Sequence, residues 1–479
     1  MSFGEAYTTR MRAVPEPAPL ETLYAIQREA FRSDPYPPPK ERKLDLRRLE
    51  NLLLERQEEL ASAIGADFNG RCRQEVIFSE ILLSIRALRH ARKRVAAWMA
   101  PRPRELDWPL QPAKAWVFPQ PLGVVGIISP WNYPAMLTIA PLAGALAAGN
   151  RVLLKLSEFT PGTSAALAKL IADTFPVDHV AAVQGDISVG RAFAALPFDH
   201  LLFTGSTNAG REVMRAAADN LTPVTLELGG KSPAIVAPDA DLKAAAEDIA
   251  YGKLLNAGQT CIAPDYVLVP GHILEAFVAA LRQSIEGYWP APANNPEYTA
   301  IINERHLSRL EGYIQEARDR GAHVMTVGPP PELGSRRLPP TLVLNPPEDI
   351  ALMRDEIFGP ILPILPYERI EEAIAYVNRH PRPLALYLFA RSGRTIEAVL
   401  ARTVTGAACV NDTLVYIVAE DLPFGGVGAS GFGRYHGREG FDTFSHLKPV
   451  FRRKVPGLSR FLRPPYGRMH ELLKRILIG

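Results

Sequence analysis

The sequence predicts an α/β protein made of two α/β domains, each built on a mostly parallel sheet. Short strand-like apolar runs alternate with segments of helical period from about residue 113 onward. The alternation pauses near residue 228 and then begins again, which places two such domains in succession. A length of 479 residues is ample for both to bury cores of their own.

Within residues 21–62, "LYAIQREAF" and "LDLRRLENLLLERQEELASAI" carry apolar positions near a 3.6-residue period with charges between, and read as helices. Leu82 to Met99 predicts another long helix, stopped by the Pro-rich "APRPRELDWPLQP". "AKAWVFPQPLGVVGIISPWNYP" then gives two strand-like runs punctuated by Pro and Gly. The first domain continues as strand "RVLLKLS", helix "PGTSAALAKLIADTF", strands "HVAAVQG" and "HLLFTGS", and helix "NAGREVMRAAAD". The second runs strand "SPAIVAP", helix "DLKAAAEDIAYGKLL", strand "DYVLVPG" and helix "ILEAFVAALRQSI". It resumes with helix "RIEEAIAYVNRH", strand "LALYLFA" and helix "TIEAVLART", and "NPPEDIALMRDEIFGPILPILPY" before them reads as a Pro-rich connector. A cleft where two domains meet is a favoured place for chemistry.

Cysteine usage and charge narrow the function. Cys72, Cys261 and Cys409 show no regular spacing, which excludes a disulfide framework and a CxxC zinc site and predicts a reducing, cytoplasmic compartment. The ten histidines show no ligand spacing, so no metal is expected. "MSFGEAYTTRMRAVPEP" lacks the apolar stretch of a secretory leader, and the absence of any run of about 18 apolar residues predicts no transmembrane segment. Residues 447–479 hold nine Lys and Arg against Glu471 alone, while the rest of the chain holds 45 basic against 50 acidic residues. A mildly acidic body with a basic tail points to a local partner surface and away from nucleic acid. Within that tail, Leu472, Leu473, Ile476 and Leu477 beside basic residues would support weak peripheral membrane contact, with packing against a second subunit the favoured reading.

"GVGASG", Gly426 to Gly431, matches G-x-G-x-x-G by letters. It lacks the following helix-periodic run that a dinucleotide fingerprint needs, so it reads as a turned, Gly-rich loop. A nicotinamide cofactor, if bound, is held another way.

"LNAGQTCIAPD" raises a different possibility. A composition this rich in Gly, Ala, Asn, Gln and Thr makes a turn or a close backbone approach, not a packed strand. Three other stretches supply what a thiol that oxidises aldehydes requires. "PWNYP" places Asn132 in a loop after a strand, "TLELGGKSP" places Glu227 at a strand end, and "EIFGP" supplies Glu356 and Phe358. A thiol adds to an aldehyde as the thiolate. The oxyanion then needs fixed donors, such as an Asn amide and the cysteine's own N–H. A carboxylate can activate water to cleave the thioester.

With "KLSE", "FTGSTNAG" and "LPFGGVG" these stretches resemble the aldehyde dehydrogenase family in order and spacing, over roughly residues 20–450, with Glu227 and Cys261 34 residues apart. "VNDTLVY" and "LPFGGVGASGFGRYHGREGFDTFSH" resemble its class 3-like branch, in the manner of bacterial coniferyl aldehyde dehydrogenases. The resemblance implies Cys261 as nucleophile, Asn132 as oxyanion donor and Glu227 as the base of deacylation. It implies Lys155 and Glu158 at the adenosine ribose, Gly205 and Ser206 at the pyrophosphate, Glu356 at the nicotinamide ribose and Phe358 against the nicotinamide. Tyr133 and Leu137 match positions lining the substrate tunnel. The expected cofactor is NAD, with NADP as the alternative, because a carboxylate at Glu158 repels a 2′-phosphate.

The resemblance also implies two Rossmann-like domains: residues 1–102 and 121–228 for the cofactor and 229–425 for catalysis. A small β oligomerisation element of residues 103–120 and 426–450 would make a homodimer, and 451–479 would be a basic C-terminal tail. The expected activity is oxidation of an aldehyde, an aromatic one such as coniferyl aldehyde favoured, to the carboxylic acid through a cysteine thiohemiacetal and thioester. A fatty or aliphatic aldehyde is the alternative substrate. A CoA-acylating relative or a non-catalytic binding protein on the same fold is the rival reading; Glu227 speaks against the first, and the retention of both Cys261 and Glu227 against the second.

Overall fold

The structure is a computed structural model that describes residues 19–332, 334–453 and 463–478. The expectation about a leader in residues 1–17, and the middle of the basic tail, lie outside the described residues.

The N-terminal helical expectation resolves into Leu20–Ser33, Pro39–Glu55 and Gln57–Asp67. Pro39 opens the second of these, where its fixed φ and missing N–H cost nothing. Arg73–Val76 runs through a π-helical turn, Ile77–Ile81, into Leu82–Trp98. Such turns recur where a helix must re-aim a side chain. Here the turn carries Glu80, whose carboxylate reaches the active-site segment.

Three sheets follow. The first has the order β15 (Gly431–Phe432), β7 (Val224–Glu227), β6 (His200–Thr204), β3 (Val124–Ile128), β4 (Arg151–Lys155) and β5 (Val180–Val183). All pairs but β15–β7 are parallel. The chain runs outward from β3 through β4 to β5 and returns on the other side at β6, so strand order reverses between β3 and β6. Ligands of open α/β sheets bind outside the carboxyl ends of the strands at such a switch point.

The second sheet has the order β10 (His323–Thr326), β11 (Thr341–Leu344), β12 (Ile361–Tyr367), β9 (Tyr266–Pro270), β8 (Pro233–Val236), β13 (Ala385–Phe389) and β14 (Ala407–Val410), with β10 alone antiparallel. β1 (Arg102–Arg104), β2 (Ala113–Pro121) and β16 (Ser445–Arg453) form an antiparallel three-stranded sheet.

Met136–Ala148 is apolar nearly all round and lies within the core, as a helix without a polar face must. It closes at Gly149, whose φ of 91° is the left-handed conformation that suits glycine at a helix end.

Three expectations need correction. "GPILPILPY" is not a connector: β12 lies inside the second sheet, paired with β11 over 361–364 and with β9 over 364–367. Ile361, Leu362, Ile364 and Leu365 are buried, and this burial outweighs the donors lost at Pro363 and Pro366. The early part of 426–450 does not join the three-stranded sheet. Gly431 pairs opposite Glu227 on β7, and Gly437–Thr443 is a helix packed on Met136–Ala148. A Cβ at Gly431 would strike the Leu226 carbonyl, so this close approach needs glycine. Lys155, which reads as an exposed charge, is buried. The structure also adds a helix for which the sequence predicts no element: Glu304–Asp319, capped by the Asn303 side chain accepting from His306 N at 3.0 Å, in a stretch whose many charges mask its apolar face.

Candidate active site

The carboxyl ends of β3, β4, β6 and β7 carry Asn132, Lys155, Gly205–Ser206 and Glu227 respectively. The segments entering β8, β9 and β12 of the second sheet carry Gly229–Lys231, Cys261 and Glu356–Phe358. These residues thus lie at strand ends or in the loops beside them; Glu158 follows Lys155 by three residues, Tyr133 adjoins Asn132, and Leu137 lies in the helix that follows.

The turn before Cys261 answers for its composition. Asn256, Ala257 and Gly258 take left-handed φ values of 53°, 51° and 74° in succession. Such a run is costly for residues with a Cβ and persists only where neighbours over-determine it. Asn256 Nδ2 donates to the carbonyls of Asn132 (3.0 Å) and Gln259 (3.2 Å). Gln259 Nε2 donates to the carbonyls of Asn256 and Ala300, both at 3.0 Å, and its Oε1 accepts from Ile302 N at 2.9 Å. A Cβ at Gly258 would collide with the Gly359 carbonyl, so glycine is needed for space as well as for φ.

Asn132 is buried, and its Nδ2 donates to the Gln259 carbonyl at 3.1 Å. One amide hydrogen is therefore anchored two residues from the thiol, and the other is free for a substrate oxygen. Burial, then the nearby Glu356 and Glu227, push the Cys261 thiol up to about 12, against the pull of the Cys261 and Ile262 N–H groups. The thiol in the cofactor-free protein is thus protonated at neutral pH. Alkylation of Cys261 by iodoacetamide is expected to accelerate roughly tenfold per pH unit between pH 7 and 9, following the thiolate fraction. A pH-independent rate by peptide mapping would contradict this.

Glu227 is buried with neither carboxyl oxygen bonded to a protein group, and desolvation raises it well above the ordinary carboxyl range. Tyr416 and Tyr435, whose hydroxyls are also buried and unpartnered, sense the charges of both Glu227 and Cys261. Buried polar atoms without protein partners mark places for water or substrate.

Glu356 is placed by a fixed loop. Lys231 Nζ donates to Asp265 Oδ2 (2.5 Å) and to the carbonyls of Leu352 (2.8 Å) and Asp355 (2.9 Å), and Ile357 N donates to Asp265 Oδ1 (3.0 Å). The Glu356 carboxyl lies against Gly229, where a Cβ would strike it. Burial and Asp265 push it up to about 8, with the Gly230 N–H, Lys231 and Arg309 opposing. Phe358 holds a left-handed φ of 49° and packs edge-on to Trp131, ring centres 5.3 Å apart.

Across the first sheet, Lys155 Nζ donates to the Leu156 carbonyl (2.8 Å) and to Glu158 Oε2 (3.1 Å), with Glu158 at the surface. Ser206 caps Thr207–Ala218, its Oγ accepting from Ala209 N at 3.3 Å. A helix N-terminus suits a phosphate, and the Lys155–Glu158 pair offers a donor and an acceptor to ribose hydroxyls. With the Gly229 cradle and Glu356, this set fits a dinucleotide laid over the strand ends. Among the described residues no group of acidic, His and Cys side chains could hold a metal.

Tyr133 and Leu137 are both buried. The Tyr133 hydroxyl meets Thr260 Oγ1 at 2.7 Å, so this ring is locked to the residue preceding Cys261.

Sequence reasoning missed Arg71, Glu75, Asn256, Gln259, Thr260 and Trp131. Asn256, Gln259 and Thr260 stand inside the stretch around Cys261, and the cue was its excess of hydrogen-bonding side chains for so short a turn. Arg71, in "NGRCRQEV", gives no such cue, because a lone arginine after Asn-Gly reads as surface.

The profile of the aldehyde dehydrogenase family matches residues 16–450. A probable coniferyl aldehyde dehydrogenase of Pseudomonas aeruginosa is 53% identical over 95% of this chain and 95% of its own. The coniferyl aldehyde dehydrogenase of a Pseudomonas sp. strain is 48% identical, with 89% of each chain covered. The substrate-bound state of Staphylococcus aureus AldH superposes with a TM-score of 0.91 at 36% identity, covering 96% of this chain and 99% of that one. The chain belongs to the aldehyde dehydrogenase family. It is an NAD(P)-dependent oxidoreductase that acts on aldehydes.

Proposed function

We propose that the protein oxidises aromatic aldehydes, with coniferyl aldehyde the favoured substrate, to their carboxylic acids. The observation that carries the reading is the joining of the Cys261 turn to the Asn132 amide through the Gln259 carbonyl, beside an unpartnered Glu227 carboxyl. The likeness to a probable and a named coniferyl aldehyde dehydrogenase supports an aryl substrate class for this chain.

Cys261 Sγ, its proton lost to solvent, adds to the aldehyde carbon, and the new oxyanion accepts from the free Asn132 N–H and the Cys261 backbone N–H. Bound NAD(P) supplies the hydride acceptor, and the carbonyl carbon stays bonded to Cys261 as a thioester. Ionised Glu227 takes a proton from water, whose oxygen attacks the thioester; the acid leaves and the Cys261 thiolate is regenerated. Lys155 and Glu158 hold the adenosine ribose, the Gly205–Ser206 helix start holds the pyrophosphate, and Glu356 with Phe358 orients the nicotinamide end. Tyr133 and Leu137 line the approach to Cys261, the Tyr133 ring flanking an aryl group.

Residues 1–102 and 121–228, with the parallel strands of the first sheet, serve as cofactor-binding domain and 229–425 as catalytic domain. The three-stranded sheet joins two copies: among the described residues no strand pairs with the outer edge of the nine-residue β16, along which Leu447 and Phe451 are exposed. A cytoplasmic setting fits three free thiols. Among the described residues no helix is long and apolar enough to cross a membrane. In the tail, Arg468–Ile478 leaves Leu472, Ile476 and Leu477 exposed, and a second subunit is the partner we assign to them over a membrane surface.

The test is reduced-cofactor formation at 340 nm with coniferaldehyde, benzaldehyde, hexanal and a long alkanal. The highest kcat/KM on the aryl aldehydes is expected, and preference for the long alkanal would overturn the substrate assignment. Glu158 makes NAD the preferred cofactor. Glu158→Gln is expected to raise the NADP-to-NAD ratio of kcat/KM by about 5–10-fold, on the order of the 1 kcal/mol that one partly exposed charge supplies. An unchanged ratio would remove Glu158 from cofactor choice.

A further inference from the structure

Arg71 has no part in the chemistry above, yet its side chain is fully buried beside the site. It enters from the loop before the π-turn, far in sequence from both Asn132 and Cys261. Its Nε donates to Glu75 Oε1 (2.8 Å), its Nη1 to Glu80 Oε1 (2.7 Å) and to the Asn132 carbonyl (3.0 Å), and its Nη2 to Ser79 Oγ (3.1 Å). The guanidinium lies over the Tyr133 ring, 4.7 Å from its centre, and over Phe68 at 5.1 Å.

The two carboxylates that Arg71 holds each have a second oxygen, and both act on site backbone. Glu80 Oε2 accepts from Ala135 N (2.8 Å) and Met136 N (3.2 Å), at the start of the buried helix that follows Asn132. Glu75 Oε2 accepts from Asn256 N (3.2 Å), the first left-handed residue of the turn before Cys261. Asn256 Nδ2 then returns to the Asn132 carbonyl, which therefore takes one donor from Arg71 and one from the nucleophile's turn.

We propose that Arg71 is a positioning residue: its guanidinium fixes the Asn132 backbone and, through Glu75, the Asn256 turn, and so sets the Asn132 amide in register with Cys261. The inference rests on the reading of Asn132 as oxyanion donor. A planar fork of donors in fixed directions suits the task, and lysine cannot copy it. Buried ion pairs contribute little net stability, and holding two segments in register is their best-attested use. The consequence of losing the fork is misalignment, and a displacement near 1 Å is enough to cost about 100-fold in rate.

The test is a double-mutant cycle of Arg71→Lys and Asn132→Ala in the full chain, with kcat, KM for the aldehyde and NAD affinity measured for each variant. Arg71→Lys is expected to lower kcat by about 10–100-fold, with KM and NAD affinity within about threefold of wild type. In the Asn132→Ala background the same change is expected to cost less than about threefold, because the donor it positions is gone. Losses that multiply in full, or a KM that rises as far as kcat falls, would overturn the proposal while leaving the role of Asn132 intact. Wild-type kcat in Asn132→Ala alone would overturn the oxyanion reading, and the proposal with it. Should Arg71→Lys fail to fold, Glu75→Gln replaces it, keeping shape and an acceptor for Asn256 N. Its expected loss is about 3–10-fold in kcat, again absorbed by Asn132→Ala, and full multiplication would again contradict the proposal.

Discussion

Cys261→Ala is expected to lower aldehyde-dependent formation of reduced cofactor by on the order of 10³–10⁵-fold, with the fold and NAD affinity retained. The alanine fits the site: Cys261 is only partly buried, at the margin of the core, and the substitution removes a single sulfur. Stability should therefore change by less than about 1 kcal/mol. The rate loss corresponds to about 4–7 kcal/mol at 1.4 kcal/mol per tenfold, more than packing at a partly exposed position can supply. Cys72 and Cys409 give the contrast. Cys72 makes a local contact with Gln74 and Cys409 lies in β14, so Cys72→Ala and Cys409→Ala should each keep activity within about threefold. Equal losses from all three substitutions would mean that the thiol chemistry is misplaced.

Glu227→Gln is expected to separate the two halves of the reaction. Removal of a general base typically costs 10²–10⁴-fold, and here the cost should fall on deacylation alone. A first turnover of reduced cofactor, close to one equivalent per site, would then precede a steady state at least about 100-fold slower than wild type. The same substitution carries a stability signature with a definite sign. Burial raises the folded pKa of Glu227 above the unfolded value near 4.5, so the wild type meets no penalty below that value. As pH rises from there towards the folded pKa, the unfolded chain ionises first and stability is lost, by up to about 1.4 kcal/mol per pH unit. Glutamine does not ionise. Glu227→Gln should accordingly melt above wild type at pH 8 and lose most of that advantage at pH 5, and a gap that stays constant from pH 5 to 8 would argue against a buried, unpartnered carboxyl.

The candidate catalytic residues stand out in the sequence because the chemistry proposed for them demands unusual local composition. A Gly-Gly pair after Glu227 and the small polar run before Cys261 are poor choices for packing and good ones for close approach, and they stand out in "LELGGKSP" and "LNAGQTC". The alternation of strands and helices was legible for a similar reason, since period 2 and period 3.6 place apolar side chains differently. Where burial is complete, period vanishes. β12 and Met136–Ala148 are apolar on every side, so neither announces which face it turns inward, and the prolines of β12 pointed the wrong way. Arg71 illustrates a second limit. Its burial depends on partners that local sequence does not show, and two of them, Asn132 and Tyr133, become neighbours only through the tertiary fold.

Intact-mass analysis of Glu227→Gln, quenched in acid after one exposure to NAD and benzaldehyde, tests the central claim most directly. A benzoyl adduct on the protein, mapped to the peptide containing Cys261 and released by hydroxylamine, is the expected result. An unmodified protein after a full turnover of reduced cofactor, or an adduct on Cys72 or Cys409, would contradict a thioester at Cys261 awaiting the water that Glu227 activates.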